Sequence, residues 1–187
     1  MNMKKTIIMM TLCLVAYCCP VQAQHLKFMG IPLNGTITQF QQKLTAKGVK
    51  YEKHASEILS AGTRAFTGTF TGENASFLVS YDPSTKIVYR ATAIMGYSSA
   101  SVCDIKFEKM KSMLSSKYPD AITVTDFENG HEKYRFTIYD SKQKPLGVIQ
   151  LFIGSNVHAY PQEYELYIDY TDYENYEKND NSKMRDL

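Results

Sequence analysis

The chain has 187 residues, with 21 basic and 19 acidic side chains and a formal net charge of +2. This length is enough for one ordinary domain, or for two small units that share a core. If Lys4 and Lys5 are removed with the N-terminal segment described next, the basic count falls from 21 to 19 and equals the acidic count. A neutral chain lacks the basic surface that attracts nucleic acids and anionic membranes, so we expect neither partner.

The first residues have the pattern of a secretory signal peptide. Two lysines precede an apolar run over residues 6–19, and Ala23 is the small residue that signal peptidase requires. We therefore expect cleavage between Ala23 and Gln24 and export to the periplasm or outer surface. The apolar run is too short for a permanent transmembrane helix. Lipid attachment at Cys18 or Cys19 is a less favoured alternative, since neither follows a small residue.

In chain order, the first predicted element after the signal is a helix. Thr36-Ile-Thr-Gln39 fits a capping box, and Gly48 supplies the left-handed stop. Four strands joined by short turns should follow, in the antiparallel arrangement that short turns favour. They are predicted over residues 49–56, 63–70, 75–81 and 86–95.

A second helix is predicted over residues 101–118, where Pro119 ends it. Asn129-Gly130 is the strongest hairpin signal in the chain, because a type I′ turn needs positive φ at both central positions. Alternating residues in the last strand indicate one buried and one solvated face. Residues 172–187 lack an apolar pattern and are predicted to form a polar, disordered tail. The second set of strands is predicted over residues 121–127, 132–140, 146–153 and 163–171.

The order of helix, four strands, helix and four strands indicates an internal duplication. At an offset of 70 residues, the apolar helix positions of the two halves coincide, and Lys47 falls on Lys117. We predict an α+β fold of two αββββ repeats, residues 24–98 and 99–171. Together they should form one antiparallel sheet with both helices packed on one face.

Cys103 would be the only cysteine left after cleavage, so no intramolecular disulfide could form. It begins the second predicted helix, where the helix dipole would lower the pKa of a nucleophilic thiol. It also shares a helical stripe with Phe107, Met110 and Leu114, which favours a small core side chain. We prefer the core role and keep a Cys103-dependent enzyme as an alternative. No catalytic residue, cofactor or metal site is predicted, and the histidines lack metal-ligand spacing.

A sheet with helices on one face leaves its other face free for binding. Tyrosine is favoured at protein interfaces, whereas the absence of tryptophan weakens the alternative of sugar stacking. A simpler alternative is that the tyrosines only favour strand formation. The candidate binding residues for the free face are Tyr51, Tyr81, Tyr89, Tyr97, Tyr139 and Tyr167.

The stretch Phe28-Met-Gly-Ile-Pro-Leu-Asn-Gly-Thr36, with Phe40, Leu44 and Lys47-Gly48, resembles the opening of small exported proteins of Gram-negative gut bacteria. Those proteins are mostly uncharacterised, and the resemblance covers residues 26–51. The element order also resembles the beta-lactamase inhibitor protein (BLIP) fold, in which two αβ repeats form one curved sheet. That family's repeats are held by disulfides, which Cys103 alone cannot form, so inhibition of a beta-lactamase is not carried over.

What the resemblance implies is a sheet that grips another protein. We therefore expect an exported, non-enzymatic protein that binds another envelope or secreted protein, in an inhibitor, immunity or envelope-assembly role. A carbohydrate- or small-ligand-binding module is the alternative.

Overall fold

The computed structural model describes residues 24–128, 131–156 and 163–184. The predicted signal peptide up to Ala23, the Asn129-Gly130 turn and the last three residues of the predicted tail lie outside these ranges. None of the helices in the described part of the chain combines the length and apolar content needed to cross a membrane.

The described residues form an eight-stranded sheet, a two-stranded sheet and four helices, which confirms the α+β class. Every strand pair is antiparallel. In chain order the elements are β1 Lys27–Phe28, β2 Ile31–Pro32, α1 Ile37–Thr45, β3 Lys50–Tyr51, α2 Lys53–Ile58, β4 Thr63–Phe70, β5 Glu73–Tyr81, β6 Val88–Tyr97, α3 Ala100–Lys117, β7 Ile122–Glu128, β8 His131–Tyr139, β9 Pro145–Asn156, β10 Glu163–Asp172 and α4 Tyr173–Met184.

The large sheet has the strand order β3-β4-β5-β6-β10-β9-β8-β7. Strands that are consecutive in the chain lie side by side, except where β6 pairs with β10 in the middle. Short connections explain the consecutive pairs. The β6–β10 pair joins the two halves of the chain, so the centre of the sheet is where they meet.

Helix α1 begins as its sequence predicts. The Thr36 hydroxyl accepts a hydrogen bond from the Gln39 backbone N–H at 3.4 Å, and the Gln39 side chain accepts one from the Thr36 N–H at 3.1 Å. This reciprocal capping satisfies two of the N–H groups that a helix start leaves unpaired. The helix buries one face, formed by Ile37, Phe40 and Leu44.

Helices α1 and α3 pack on the same face of the large sheet, which we call the helix face. The buried side of α3 carries Cys103, Phe107, Met110 and Leu114, and these join the α1 residues in one hydrophobic cluster. Neighbouring strands contribute cross-strand rows to that cluster, such as Ala93, Ile168 and Leu151. The buried face predicted for the last strand is confirmed, since Leu166 and Ile168 are fully buried here. The opposite face is not solvated throughout, because Asp169 on that face is only 2% exposed.

The strand predicted over residues 49–56 is wrong beyond Tyr51, because the chain turns into α2. The Ser56 hydroxyl donates to the Glu52 carbonyl at 2.7 Å and accepts from the Ala65 N–H at 2.9 Å. A side-chain hydroxyl thus takes the place of a strand partner along β4. Serine readily makes such local bonds with the backbone, which is why it competes with strand pairing.

The disordered tail predicted from residue 172 onward is also wrong, because α4 occupies Tyr173–Met184. The Asp172 carboxylate accepts a hydrogen bond from the Asn175 backbone N–H at 3.1 Å, as a helix N-cap does. The Asn175 amide donates to the Leu33 carbonyl at 2.6 Å, and both Asn175 and Asn179 are buried. The helix docks through polar side chains, so its apolar pattern is too weak to be read from the sequence.

Candidate binding face of the central sheet

The face of the eight-stranded sheet opposite α1 and α3 is called the open face here. Strand residues alternate between the two faces, so the registers identify its members. Ile94 of β6 lies beside Tyr167 of β10, and Tyr167 lies beside Phe152 of β9. Phe152 in turn lies beside Lys133 of β8. These four residues, the aromatic row, cross the middle of the open face.

Two rings at the centre of the aromatic row stack on each other. The ring centroids of Phe152 and Tyr167 are 4.8 Å apart and the ring planes differ by only 4°. The Lys133 ammonium lies 5.4 Å from the Phe152 ring centroid. The strand order places Tyr167 and Lys133 on opposite sides of Phe152, so both faces of that ring are covered. Its edge remains to contact another molecule.

Glycines beside the aromatic row leave room for the Tyr167 ring. A Cβ atom added at Gly154 would lie 2.8 Å from Tyr167 Cε2, which is closer than such atoms approach. Glu165 has Gly96 and Gly154 as its two cross-strand neighbours. The Tyr167 hydroxyl donates a hydrogen bond to the Glu165 carboxylate. Burial, followed by this carboxylate, raises the pKa of Tyr167, so the hydroxyl stays protonated at neutral pH.

A charged network lies next to the aromatic row. The Asp169 carboxylate accepts hydrogen bonds from Arg90 Nε at 2.7 Å and from the Thr92 hydroxyl at 2.8 Å. The Asp169 side chain is only 3% exposed, whereas Arg90 is 45% exposed and covers it. Arg135 pairs with Asp126 at 3.5 Å further along the same face. The charges around the aromatic row are therefore paired with each other. The ring edges of the row are the apolar surface that the open face presents.

On the side of the aromatic row towards β4, the sheet surface forms a polar hollow of about 500 Å³. Ile94 and Gly96 form the side nearest the row. The polar side chains that line the hollow are Lys50, Thr67, Thr69, Asn74 and Ser76.

The structure does not bring the six predicted tyrosines together. Tyr51, Tyr81 and Tyr97 pack against the core cluster, so the expectation that they face the free side is wrong for them. Within their strands these tyrosines alternate in phase with the residues on the helix face. The sequence alone does not predict this, because it does not give the pairing register of the strands. Arg64 lies over the Tyr51 and Tyr81 rings at 5.6 and 5.8 Å, and the Tyr97 hydroxyl donates to Glu73 at 2.6 Å.

The remaining candidates are divided. Tyr89 packs edge-on against Tyr176 of α4, with their ring centroids 5.9 Å apart. Tyr139 is half-buried at the end of β8, where it pairs with Pro145. Tyr167 alone belongs to the aromatic row. The sequence reasoning missed Phe152, whose place beside Tyr167 depends on the strand order.

Cys103 lies in the core rather than in a cleft. It is fully buried, and burial together with Asp104 raises the pKa of its thiol to about 11. A nucleophilic thiol needs the opposite shift. Among the described residues, no group of three or more His, Cys, Asp or Glu side chains could hold a metal ion.

Comparison with protein-family models, with curated proteins and with solved structures found no match to this chain.

Proposed function

We propose that this protein is exported and binds another protein through the aromatic row of the open face. The observation that carries the proposal is the stacked Phe152–Tyr167 pair in the middle of the face that α1 and α3 leave free. The centres of protein interfaces are enriched in aromatic side chains and depleted of charged ones. A non-enzymatic role as an inhibitor, immunity protein or envelope-assembly factor follows from that mode of binding.

The ring geometry favours a protein partner over a sugar. Sugar stacking needs a free aromatic face, whereas Tyr167 and Lys133 cover both faces of Phe152. What the pair offers is ring edges beside Ile94, and such edges suit apolar side chains of a partner. The rigid aromatic pair would lose little conformational entropy on binding, which favours a hot spot.

Carbohydrate binding remains the second candidate because of the polar hollow. Its hydroxyl and amide groups could exchange hydrogen bonds with sugar hydroxyls, and Ile94 would contact the apolar side of a sugar ring. A glycan that binds there would depend on Asn74 and not on Phe152.

We further propose that the fold is a duplicated αββββ unit, as the BLIP resemblance implies. The strand order supports this, since β3 to β6 and β7 to β10 each run in chain order from an edge of the sheet inward to the central β6–β10 pair. Each set follows one long helix that packs on the helix face, α1 or α3.

A comparative pull-down tests the proposed function. The bait is the purified protein, either unchanged, with Phe152→Ala and Tyr167→Ala together, or with Ile105→Ser as the matched control. Ile105 is a 67% exposed apolar residue on the outer side of α3. We expect an envelope or secreted protein that binds the unchanged and Ile105→Ser baits but is lost from the double variant.

Titration of the captured partner should then show a loss of at least about 30-fold in affinity, as for an interface hot spot. All baits are first compared by circular dichroism to confirm that they are folded. A partner retained equally by all three baits would overturn the proposal. A bound glycan that is lost with Asn74→Ala and kept by the double variant would establish the second candidate instead.

A further inference from the structure

A second cleft, on the helix face, lies apart from the aromatic row and has a different character. It encloses about 530 Å³, within the usual range for small-molecule sites. Five parts of the fold enclose it: the β1–β2 turn, the α1–β3 turn, the end of β4 with the β4–β5 turn, the second half of α3, and the floor strand β10. The residues that line it are Met29, Gly30, Lys47, Phe70, Thr71, Met110, Met113, Leu114, Lys117 and Tyr170.

The walls of this cleft are apolar and adaptable. Met110, Met113 and Leu114 follow one another at helical spacing on α3, and Met113 is 44% exposed although it is a large apolar residue. Methionine side chains are flexible and polarisable, so they suit an apolar ligand of variable shape. The floor belongs to an aromatic cluster in which Phe28 stacks on Phe70 with ring centroids 5.7 Å apart.

The polar side chains that line the cleft can all donate hydrogen bonds. Lys47 and Lys117 both line it, and neither ammonium has an ion-pair partner among the described residues. Tyr170 is only 4% exposed, and its ring packs edge-on against Phe28 in the floor. Its hydroxyl can donate a hydrogen bond, so together with the two ammonium groups it favours a ligand that accepts hydrogen bonds.

We propose that this cleft binds a long-chain fatty carboxylate. The alkyl chain would lie against the methionines and Phe70, while the carboxylate would accept hydrogen bonds from the lysines and from Tyr170. An anion is selected because the cleft offers two ammonium groups and the hydroxyls of Thr71 and Tyr170, and no carboxylate side chain lines it. A single long chain is selected because the other side chains of the lining are apolar. The cleft shares no residue with the aromatic row, so this proposal stands independently of the proposed function.

Calorimetric titration with dodecanoate, kept below the concentration at which it forms micelles, tests the head-group requirement. Dodecanol and propionate are the probes that lack the charge and the chain respectively. We expect dodecanoate to bind, propionate not to bind, and dodecanol to bind about tenfold more weakly, the factor expected for losing two partly solvated charge contacts.

Lys47→Gln with Lys117→Gln should weaken dodecanoate by about the same tenfold and leave dodecanol unchanged. Lys43→Gln with Lys109→Gln is the matched control, because these exposed lysines lie on α1 and α3 outside the cleft. Failure of dodecanoate to bind, or equal binding to both double variants, would overturn the proposal.

Labelling the methionine methyl groups shows where the ligand binds. In nuclear magnetic resonance spectra, dodecanoate should shift the methyl signals of Met110 and Met113, whereas Met95, which is 2% exposed in the sheet and outside the cleft, should not move. A shift at Met95 without shifts at the α3 methionines would place the ligand elsewhere and contradict the proposal.

Discussion

Replacement of Asp172 by alanine should destabilise the fold more than its position near the C-terminus suggests. The carboxylate is 1% exposed and accepts hydrogen bonds from two buried backbone N–H groups, Leu26 at 3.0 Å and Asn175 at 3.1 Å. His25 Nδ1 lies 3.1 Å from it as well. One side chain thus fastens the N-terminal segment and the start of α4 to the end of β10.

The size of the effect follows from those contacts. Each buried N–H that loses its acceptor costs about 1–3 kcal/mol, so Asp172→Ala should lower the free energy of unfolding by about 3 kcal/mol. For a chain of this size that corresponds to a fall of about 6–12 °C in Tm. Asp172→Asn keeps one oxygen acceptor and should lie between the alanine variant and the unchanged protein. Urea unfolding followed by circular dichroism measures all three.

The same variants give a pH dependence with a definite sign. Burial raises the pKa of Asp172 above its ordinary value of 3.8, against the opposing effect of its hydrogen bonds with Asn175, His25 and Leu26. A carboxyl with a raised folded-state pKa stabilises the fold most at low pH, and this contribution is lost as pH rises through the raised pKa. The stability of the unchanged protein relative to Asp172→Asn should therefore fall from acid to neutral pH. A loss below 1 kcal/mol for Asp172→Ala, or a rise with pH, would refute this reasoning.

Three further outcomes are expected. Glu73→Gln should destabilise the fold at neutral pH and not in acid. The hydrogen bond from Lys106 at 2.6 Å, and then that from Tyr97, lower the pKa of Glu73, and the stabilisation they give disappears as pH falls through the lowered pKa. Urea unfolding at several pH values measures the difference. Cys103 should resist a thiol reagent in the folded protein at neutral pH and react in denaturant, and rapid labelling of the native state would contradict its core position. Gly154→Ala should weaken partner binding in a titration, because the new Cβ must displace the Tyr167 ring, and unchanged affinity would count against the aromatic row.

The regular elements could be predicted from local signals in the sequence. The capping box at Thr36 and the proline after Tyr118 gave the two long helices to within two residues or so of their observed limits. Strand β4 was predicted with its observed ends, residues 63–70. These signals act over a few residues, so they do not depend on the rest of the fold.

The missed elements depend on polar contacts between distant parts of the chain. Helix α4 is held by the hydrogen bond from the Asn175 amide to the Leu33 carbonyl. A polar contact of this kind leaves no periodic apolar pattern in the sequence. Asp172 three residues before Asn175 was the one available signal, since an aspartate at that position is a common N-cap.

The candidate site was largely beyond the sequence for a related reason. Alternation within β10 correctly separates Tyr167 from the buried face, but it cannot say which strands lie beside it. Phe152 and Lys133 become its neighbours only through the order β10-β9-β8. The same lack of strand order and register let Tyr51 and Tyr97 be assigned to the wrong face.

Site-specific photo-crosslinking can show whether the aromatic row contacts a protein partner. A photoreactive phenylalanine analogue would replace Ile94, at the end of the aromatic row, or Ile105, on the outer side of α3. Each protein would be irradiated in envelope extract of the organism that encodes the chain. We expect one dominant protein adduct from position 94 that is absent from position 105. Adducts from position 105 alone, or none from position 94 in folded protein, would contradict it.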